Sequence, residues 1–580
     1  MADHPTSASP TRERVLLVGV IALVFLMALS VSYLDEDAFI SFRVVENFVH
    51  GHGLRWNVDE RVQVYTNPLW VLGLIAIRFV VPSMASTSYI LSVLASTAAV
   101  AVIARRLVGQ PLVLLLGLTL PLCLSAAFTD YTNSGLENPF LFLFAALFVE
   151  RLWRDDEGED REVSWLHLCL FAALSACTRL DNGLLFAPVL TWLGLTHLRT
   201  MSWAKVALGF APLLAWLGFA LFYYGAIFPN PKFAKLDAGI SRDQYWEAGF
   251  AYLKDIMCND VTTFAGLAAA VVVAVIGALM LARRRLDPRL AKLVMMCVGV
   301  ALFTAYVVYV GGDQKAGRHW SAPFFVSVAT LSLMAERIEL GRRQTDMLLA
   351  CVVLLTLRFG VQPITAEKDT VERRKHDRFA IVRAGGIRDQ RFNSSFYETL
   401  FGARGGPEEH DWSARGIRAA KKAAAFIERH PDQNYVLIQG GAGKAPFFAG
   451  PQVTYIDHLG LADPLLARLP DADGKMKLIG HLGRQVPRGY KHARQTGDLS
   501  ELDPDLRAYY EPLRLVISGP LFDAERLRTI WKLRTGAYDD ALERYRNDGY
   551  PELVADAQKK RRERAARRRK AKQAKKTKSR

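Results

Sequence analysis

Residues 15–37 read VLLVGVIALVFLMALSVSYLDED. An apolar run ends here, without a break, on three carboxylates. As a helix the run is about 30 Å long, the thickness of a bilayer's hydrocarbon core. Arg12 and Arg14 precede it, which by the positive-inside rule holds its start in the cytoplasm and brings Asp35-Glu36-Asp37 out on the far side. A cleaved signal peptide fits less well, because the apolar stretch is too long and runs straight into acids.

Working outward, the same pattern recurs. The chain has 580 residues, 51% hydrophobic and 22% charged, which at about 150 residues per domain suggests roughly four soluble domains. The apolar residues are instead gathered in blocks between 15 and 358, with charges clustered between them. The expected fold is an α-helical polytopic membrane protein of about 11 transmembrane helices. The spans are placed near 15–34, 91–104, 111–128, 139–152, 164–178, 184–197, 206–224, 263–282, 291–310, 320–335 and 346–359. The block 68–81 is short and contains Arg78, so it is read as lying at the interface. With that reading Arg105-Arg106, the stretch Arg151 to Arg161, His197 with Arg199, Arg283 to Arg285, and Arg337 with Arg342 and Arg343 all fall in the cytoplasm. A long loop, 225–262, lies outside.

The odd number of spans leaves the C-terminal portion outside as well. Residues 1–360 form the membrane domain and 361–558 an extracytoplasmic mixed α/β domain. In the latter, a helix over 414–428 precedes a strand at 434–439, a glycine turn at 440–446 and a second strand at 453–456. Residues 559–580 form a disordered polybasic tail, with 14 Lys or Arg against Glu563 alone, so the tail supplies +13 of the net +16. It suits anionic lipid or glycan, and no nucleic-acid partner is expected. Six scattered cysteines with no CxxC pair are too few for a disulfide framework, and none lies in the last 220 residues, so that part needs neither disulfides nor a thiolate metal site.

Every polar constellation of interest falls on the outer face: Asp35-Glu36-Asp37, 129–137, Arg179 with Asp181, 229–243, and Asp313 to His319. Carboxylates at the end of an apolar span are costly to desolvate and usually mark a site. The plainer readings are wet loop charges and helix caps. In a partly dry cleft a carboxylate can take a proton from a sugar hydroxyl. Arg318, with Lys232, Lys235 and Arg242, can hold a lipid phosphate. The turn Gly440 to Pro446 lacks the GK[ST] ending of a P-loop. His458 and His481 have no partner at metal-ligand spacing, and a divalent cation is left open without a ligand cluster to support it.

The run Glu36-Asp37-Ala38-Phe39-Ile40-Ser41-Phe42-Arg43, followed by Gly51-His52-Gly53-Leu54 and Glu60-Arg61…Tyr65-Thr66-Asn67-Pro68-Leu69-Trp70, resembles glycosyltransferases of the GT-C fold. More closely, the chain resembles the mycobacterial terminal β-(1→2) arabinofuranosyltransferase family. The likeness continues through Asn133-Ser134-Gly135-Leu136-Glu137, Tyr223-Tyr224-Gly225, Phe228-Pro229-Asn230, Gly311-Gly312-Asp313, Gly317-Arg318 and Ile456-Asp457-His458-Leu459-Gly460, to Ile479-Gly480-His481.

The resemblance implies transfer of a sugar, arabinofuranose as first candidate, from a polyprenyl-phosphate donor to a cell-envelope glycan acceptor outside the inner membrane. It places the catalytic pair on Asp37, as base, and Glu36. The donor phosphate is expected at Arg318, Lys235 and Arg179. Substrate contacts are expected from Arg43, Glu137, Asp181, Asp313 and His319. A flippase for lipid-linked sugar and a non-catalytic envelope scaffold are the rival readings.

Overall fold

The computed structural model describes residues 10–154, 163–283, 285–337, 412–476 and 480–578. The expected span 346–359 and residues 361–411 lie outside them. The first part is helical throughout: α1 (Pro10–Ser30), α2 (Ala38–Val49), α3 (Pro68–Arg78), α4 (Met84–Leu107), α5 (Leu112–Leu124), α6 (Ala126–Thr129), α7 (Asn138–Arg154) and α8 (Trp165–Thr178). After a 3-10 turn at Leu180–Asn182 come α9 (Gly183–Thr196), α10 (Trp203–Tyr224), α11 (Asn230–Leu236), α12 (Arg242–Asn259), α13 (Val261–Ala282), α14 (Pro288–Tyr309) and α15 (Ser321–Arg337).

Among the described residues α1, α4, α10, α13 and α14 are long and apolar enough to cross a membrane. The blocks expected as spans at 111–128, 139–152, 164–178, 184–197 and 320–335 form helices shorter than a full span. Helices α5, α8 and α9 have 13, 14 and 14 residues, and α7 and α15 have 17 each. At 1.5 Å per residue these reach only about 20–25 Å. Each stops where a polar residue redirects the chain: Ser125 after α5, Arg179 after α8, Glu137 before α7. The short α3, 11 residues long, is held to α2 by Arg78, which donates to Glu46 at 2.7 Å.

Helices pair closely, α8 on α10, α4 on α7, and α9 and α13 on α14. Small residues make this approach feasible. A Cβ at Gly299 in α14 would collide with the Leu185 carbonyl of α9, and one at Gly209 in α10 would lie 2.5 Å from Cys169 of α8. At one end of the bundle Arg105 and Arg106 donate to Glu150 at 2.8 and 2.6 Å, and Gln110 donates to Glu336 at 3.0 Å. The acidic loops meet at the opposite end.

Two expectations are corrected. The stretch 225–262 is not an open loop, because Tyr245, Ala248, Tyr252 and Ile256 give α12 a buried face against α14. The basic tail is helical, within Gly549–Lys578, as its Ala, Lys, Arg, Glu and Gln content favours.

After residue 411 the parallel strands β1 (Tyr435–Gln439) and β2 (Val453–Asp457) sit among short helices. This region is not detached. Trp56, Val64, Tyr65 and Trp70, from the segment between α1 and α4, share one buried core with Tyr455, Tyr490, Tyr510 and Val516. Asn57 both donates to and accepts from the Tyr455 backbone, at 3.0 and 3.1 Å. Arg526 caps the end of α10, donating to the carbonyls of Phe222 and Tyr223 at 2.9 and 3.0 Å.

Replacing Gly299 by valine is expected to force α9 and α14 apart and cost about 1–3 kcal/mol. A thermal midpoint of the detergent-solubilised protein equal to wild type would contradict this packing.

Candidate functional site

Residues 33–35 lie against the loop between α6 and α7, with the amides of Tyr33 and Asp35 donating to the carbonyls of Asn133 and Ser134 at 3.1 and 2.9 Å. This places Asp35, fully buried, beneath the start of α2. One of its oxygens accepts the Asp37 amide at 2.8 Å and also pairs with the Lys315 ammonium. Asp37 then points outward, its carboxylate 29% exposed.

Asp37 accepts from Arg318 at 2.8 Å and lies 3.6 Å from Lys315. Arg318 reaches on to Glu137 at 3.2 Å and Asp313 at 3.6 Å. Glu137, with no exposed surface, also accepts from Arg179 at 3.1 Å and from Asn67 at 2.9 Å. Arg179 grips Asp181 with two bonds, 3.1 and 2.7 Å. His319 stands between Arg179 and Asp313, at 3.5 and 3.4 Å. Loop 310–320 owes its shape to Gly311, Gly312 and Gly317, all at positive φ, and to Tyr131 and Tyr252, whose hydroxyls donate to the carbonyls of Ala316 and Lys315, both at 2.9 Å.

The charges set one another's ionisation. Burial pushes the carboxyls of Asp37, Glu137, Asp181 and Asp313 upward, but the facing cations outweigh it and hold all four below their usual range. For Asp37 the cations are Lys315, Arg318 and Lys235. Glu36 behaves oppositely. It is exposed at the mouth but crowded by Gly441 and Gly443; lost solvent on that side, then the Asp37 charge, push its carboxyl up. Burial and then Arg179 bring His319 down to about 4, so its ring is neutral.

Most of the expected residues therefore meet at one place: Asp37, Glu36, Arg318, Arg179, Glu137, Asp181, Asp313 and His319. Lys235 joins them from α11, with its stem 3.0 Å from where a Cβ on Gly480 would stand. Its ammonium has no ion pair among the described residues. Arg43 does not join. It is buried, donating to the carbonyls of Trp56 at 2.7 Å, Val453 at 2.9 Å, Gly450 at 3.1 Å and Pro446, so it ties α2 to the C-terminal region instead of meeting substrate.

Three features escaped the sequence reading. Lys315 is the ion-pair partner of Asp35, and its only signal was its place in the 313–319 cluster. The glycine turn 440–446 has no nucleotide role in view but forms a wall beside Glu36. The third is a small cavity of about 10 Å3 under Arg318, room for about one water, with Leu141 and Phe303 in its lining. Among the described residues Asn138 Oδ1, Asn182 Oδ1, Arg318 Nε and His319 Nδ1 are all buried without a hydrogen-bond partner, and all four residues line it. Each such atom costs about 1–3 kcal/mol unless a polar occupant meets it. A divalent cation does not fit here: Asp37, Glu137 and Asp313 already face cationic or imidazole nitrogens, and among the described residues no three metal-ligating side chains cluster.

No family model and no curated protein matches the sequence. Among solved structures the chain is similar to ArnT from Cupriavidus metallidurans bound to undecaprenyl phosphate, with 12% identity and a TM-score of 0.44, covering 80% of this chain and 90% of that one. The apo state of ArnT from Cupriavidus metallidurans gives 14% identity and a TM-score of 0.38 over 79% and 77%.

The ionisation pattern fixes a pH response. The four lowered carboxyls contribute stability that is full above their unfolded values, near pH 4, and lost as pH falls through the folded ones. His319 loses protons more readily folded, at about 4, than unfolded, at about 6.5. Its contribution is full above pH 6.5 and declines from there toward pH 4. The thermal midpoint is expected to fall between pH 7 and 4.5, and His319→Asn to fall less over that window. Equal slopes would refute the buried neutral ring.

Proposed function

We propose that this chain is a membrane glycosyltransferase of the GT-C kind, moving a sugar from a polyprenyl-phosphate donor to a cell-envelope glycan on the extracytoplasmic side of the inner membrane. Arabinofuranose is the first candidate sugar, on the sequence resemblance. The observation that carries the reading is the meeting of Asp37, Arg318, Lys315 and Lys235 over a cavity with unsatisfied polar atoms, at one end of an apolar helix bundle. A prenyl chain suits the apolar flank, a phosphodiester suits the cations, and a hydroxyl nucleophile suits the carboxylate.

In this mechanism the donor phosphate takes Arg318 and the unpaired Lys235 as ligands. Arg179 stays with Asp181 and Glu137 and holds Glu137 in place for Arg318. The acceptor hydroxyl enters from the side of the glycine turn. Its oxygen bonds to C1 of the sugar as the bond from C1 to the phosphate oxygen breaks, and its proton passes to Asp37. Polyprenyl phosphate leaves with the electron pair, its added charge met by Arg318, Lys315 and Lys235. A phosphate is a good leaving group, so no acid is required.

The low proton affinity of Asp37 has a use in this scheme. Before donor binds, Arg318 and Lys315 keep the carboxylate ionised. An anionic phosphate shares those cations and so raises the proton affinity of Asp37 as the donor arrives. Base strength and donor occupancy are thereby linked. Charge gathers at the two ends of the bundle, and α13 carries none along its length, which favours transfer over transport.

Membranes supplied with radiolabelled polyprenyl-phosphate arabinofuranose are expected to pass label into glycan. Asp37→Asn at equal expression is expected to reduce this by about 10²- to 10⁴-fold. Failure of wild type with this donor and with other prenyl-phosphate sugars would move the reading to a scaffold.

A further inference from the structure

The C-terminal region leaves a bare apolar face beside the end of a spanning helix. Phe522, at the tip of the loop 519–523, is 82% exposed. On the helix that follows, Ala524–Arg534, Trp531 is 69% exposed and Leu527 is exposed as well. Side chains this large are costly to leave in water, and several together mark a contact surface. Leu527 and Trp531 are four positions apart, so they stand one above the other on the helix. Arg526, Thr529 and Ile530, on its other side, are buried against the protein.

What meets this face follows from α10. The fully buried Arg526 donates to the carbonyls of Phe222 and Tyr223 in the last turn of α10, and to those of Val516 and Leu521 at 2.8 and 3.0 Å. The end of a membrane helix has carbonyls without intrahelical partners, and here the C-terminal region supplies the donor. The fit is close: a Cβ at Gly225 would lie 2.3 Å from Val516, and the rings of Phe522 and Phe222 are 5.4 Å apart. Only 11% of the apolar stretch of α10 is buried in the protein, so its flank belongs to lipid. Its far end starts at the exposed Trp203. At 1.5 Å per residue Trp203 and Phe222 stand about 30 Å apart, one hydrocarbon thickness. Phe522 thereby comes level with the boundary between acyl chains and headgroups, where aromatic rings collect.

Charge fits the same placement. Arg534 continues the Leu527–Trp531 stripe one turn on, and Arg528 and Lys532 run beside it. All three are exposed, and none makes an ion pair among the described residues. Basic side chains around an apolar stripe reach phosphate headgroups while their stems lie along the acyl boundary. A phospholipid surface therefore meets the stripe and the cations at once. We propose that Phe522, Leu527 and Trp531 form an interfacial anchor that seats the C-terminal region in the phospholipid leaflet at the end of α10. The anchor depends on α10 crossing the membrane and not on the sugar or the reaction.

The test uses the full chain in phospholipid nanodiscs. Cys258, an exposed cysteine, is replaced by serine, and nitroxide labels are attached through Phe522→Cys and Leu527→Cys, both surface changes. The chain without an added cysteine gives the background signal. Asp498→Cys, on an exposed loop ahead of the helix Pro504–Ser518, is the control. Labels at 522 and 527 are expected to collide more with dissolved oxygen, which concentrates in lipid, than with a water-soluble nickel chelate. The label at 498 is expected to do the reverse. Trp531→Glu, added to the Leu527→Cys chain, is expected to shift the balance at 527 toward nickel. Nickel collisions dominant at both 522 and 527 would overturn the anchor. Shielding of both labels from both reagents would overturn it too, with spin–spin broadening marking a second copy of the chain on this face.

Discussion

Carboxylates at the edge of an apolar bundle cannot remain there alone, because an unpaired buried charge costs several kcal/mol. That demand organises the rest of this molecule. Asp35, Glu137, Asp181 and Asp313 come from four separate segments and are met by Lys315, Arg179 and Arg318. Helices α2, α7, α9 and α15 all begin at this place, just after Asp37, Glu137, Asn182 and Trp320. Acidic residues there also face the positive ends of helix dipoles. The short helices stop at this level because their ends are where the ion network is built, and the recess over them is the opening of the site.

The network has a second effect through shared partners. Arg318 serves Asp37, Glu137 and Asp313 together, so an anion that engages it changes three carboxylates at once. The neutral His319 lines the small cavity beneath Arg318.

Much of this was legible in the sequence. Charge clusters between apolar blocks pointed to loops that meet: Asp37, Glu137, Arg179, Asp181, Asp313, Arg318 and His319 gather at one place. Asp37, Glu137, Arg179, Asp313 and Arg318 could be named because ionisable groups at span ends are rarely idle. Other features leave no local pattern. Arg43 sits in the same motif as Asp37, yet its guanidinium is spent on carbonyls of a segment 403 positions away. Short helices look like full spans when apolar runs continue past the turn, as at Ser125. The glycine turn near Glu36 and the four unpartnered atoms of the cavity are products of tertiary contact alone.

The core shared by Trp56, Trp70, Tyr455 and Tyr510 also has a bearing on how the protein is made. Its two halves leave the ribosome far apart in time. Until the second is made, the segment carrying Glu36 lacks the wall that Gly441 and Gly443 set beside it. Such long-range closure is slow, and it leaves the nascent chain inserted but without a finished mouth. The mouth beside Glu36 is therefore completed only once both halves of this core have been made.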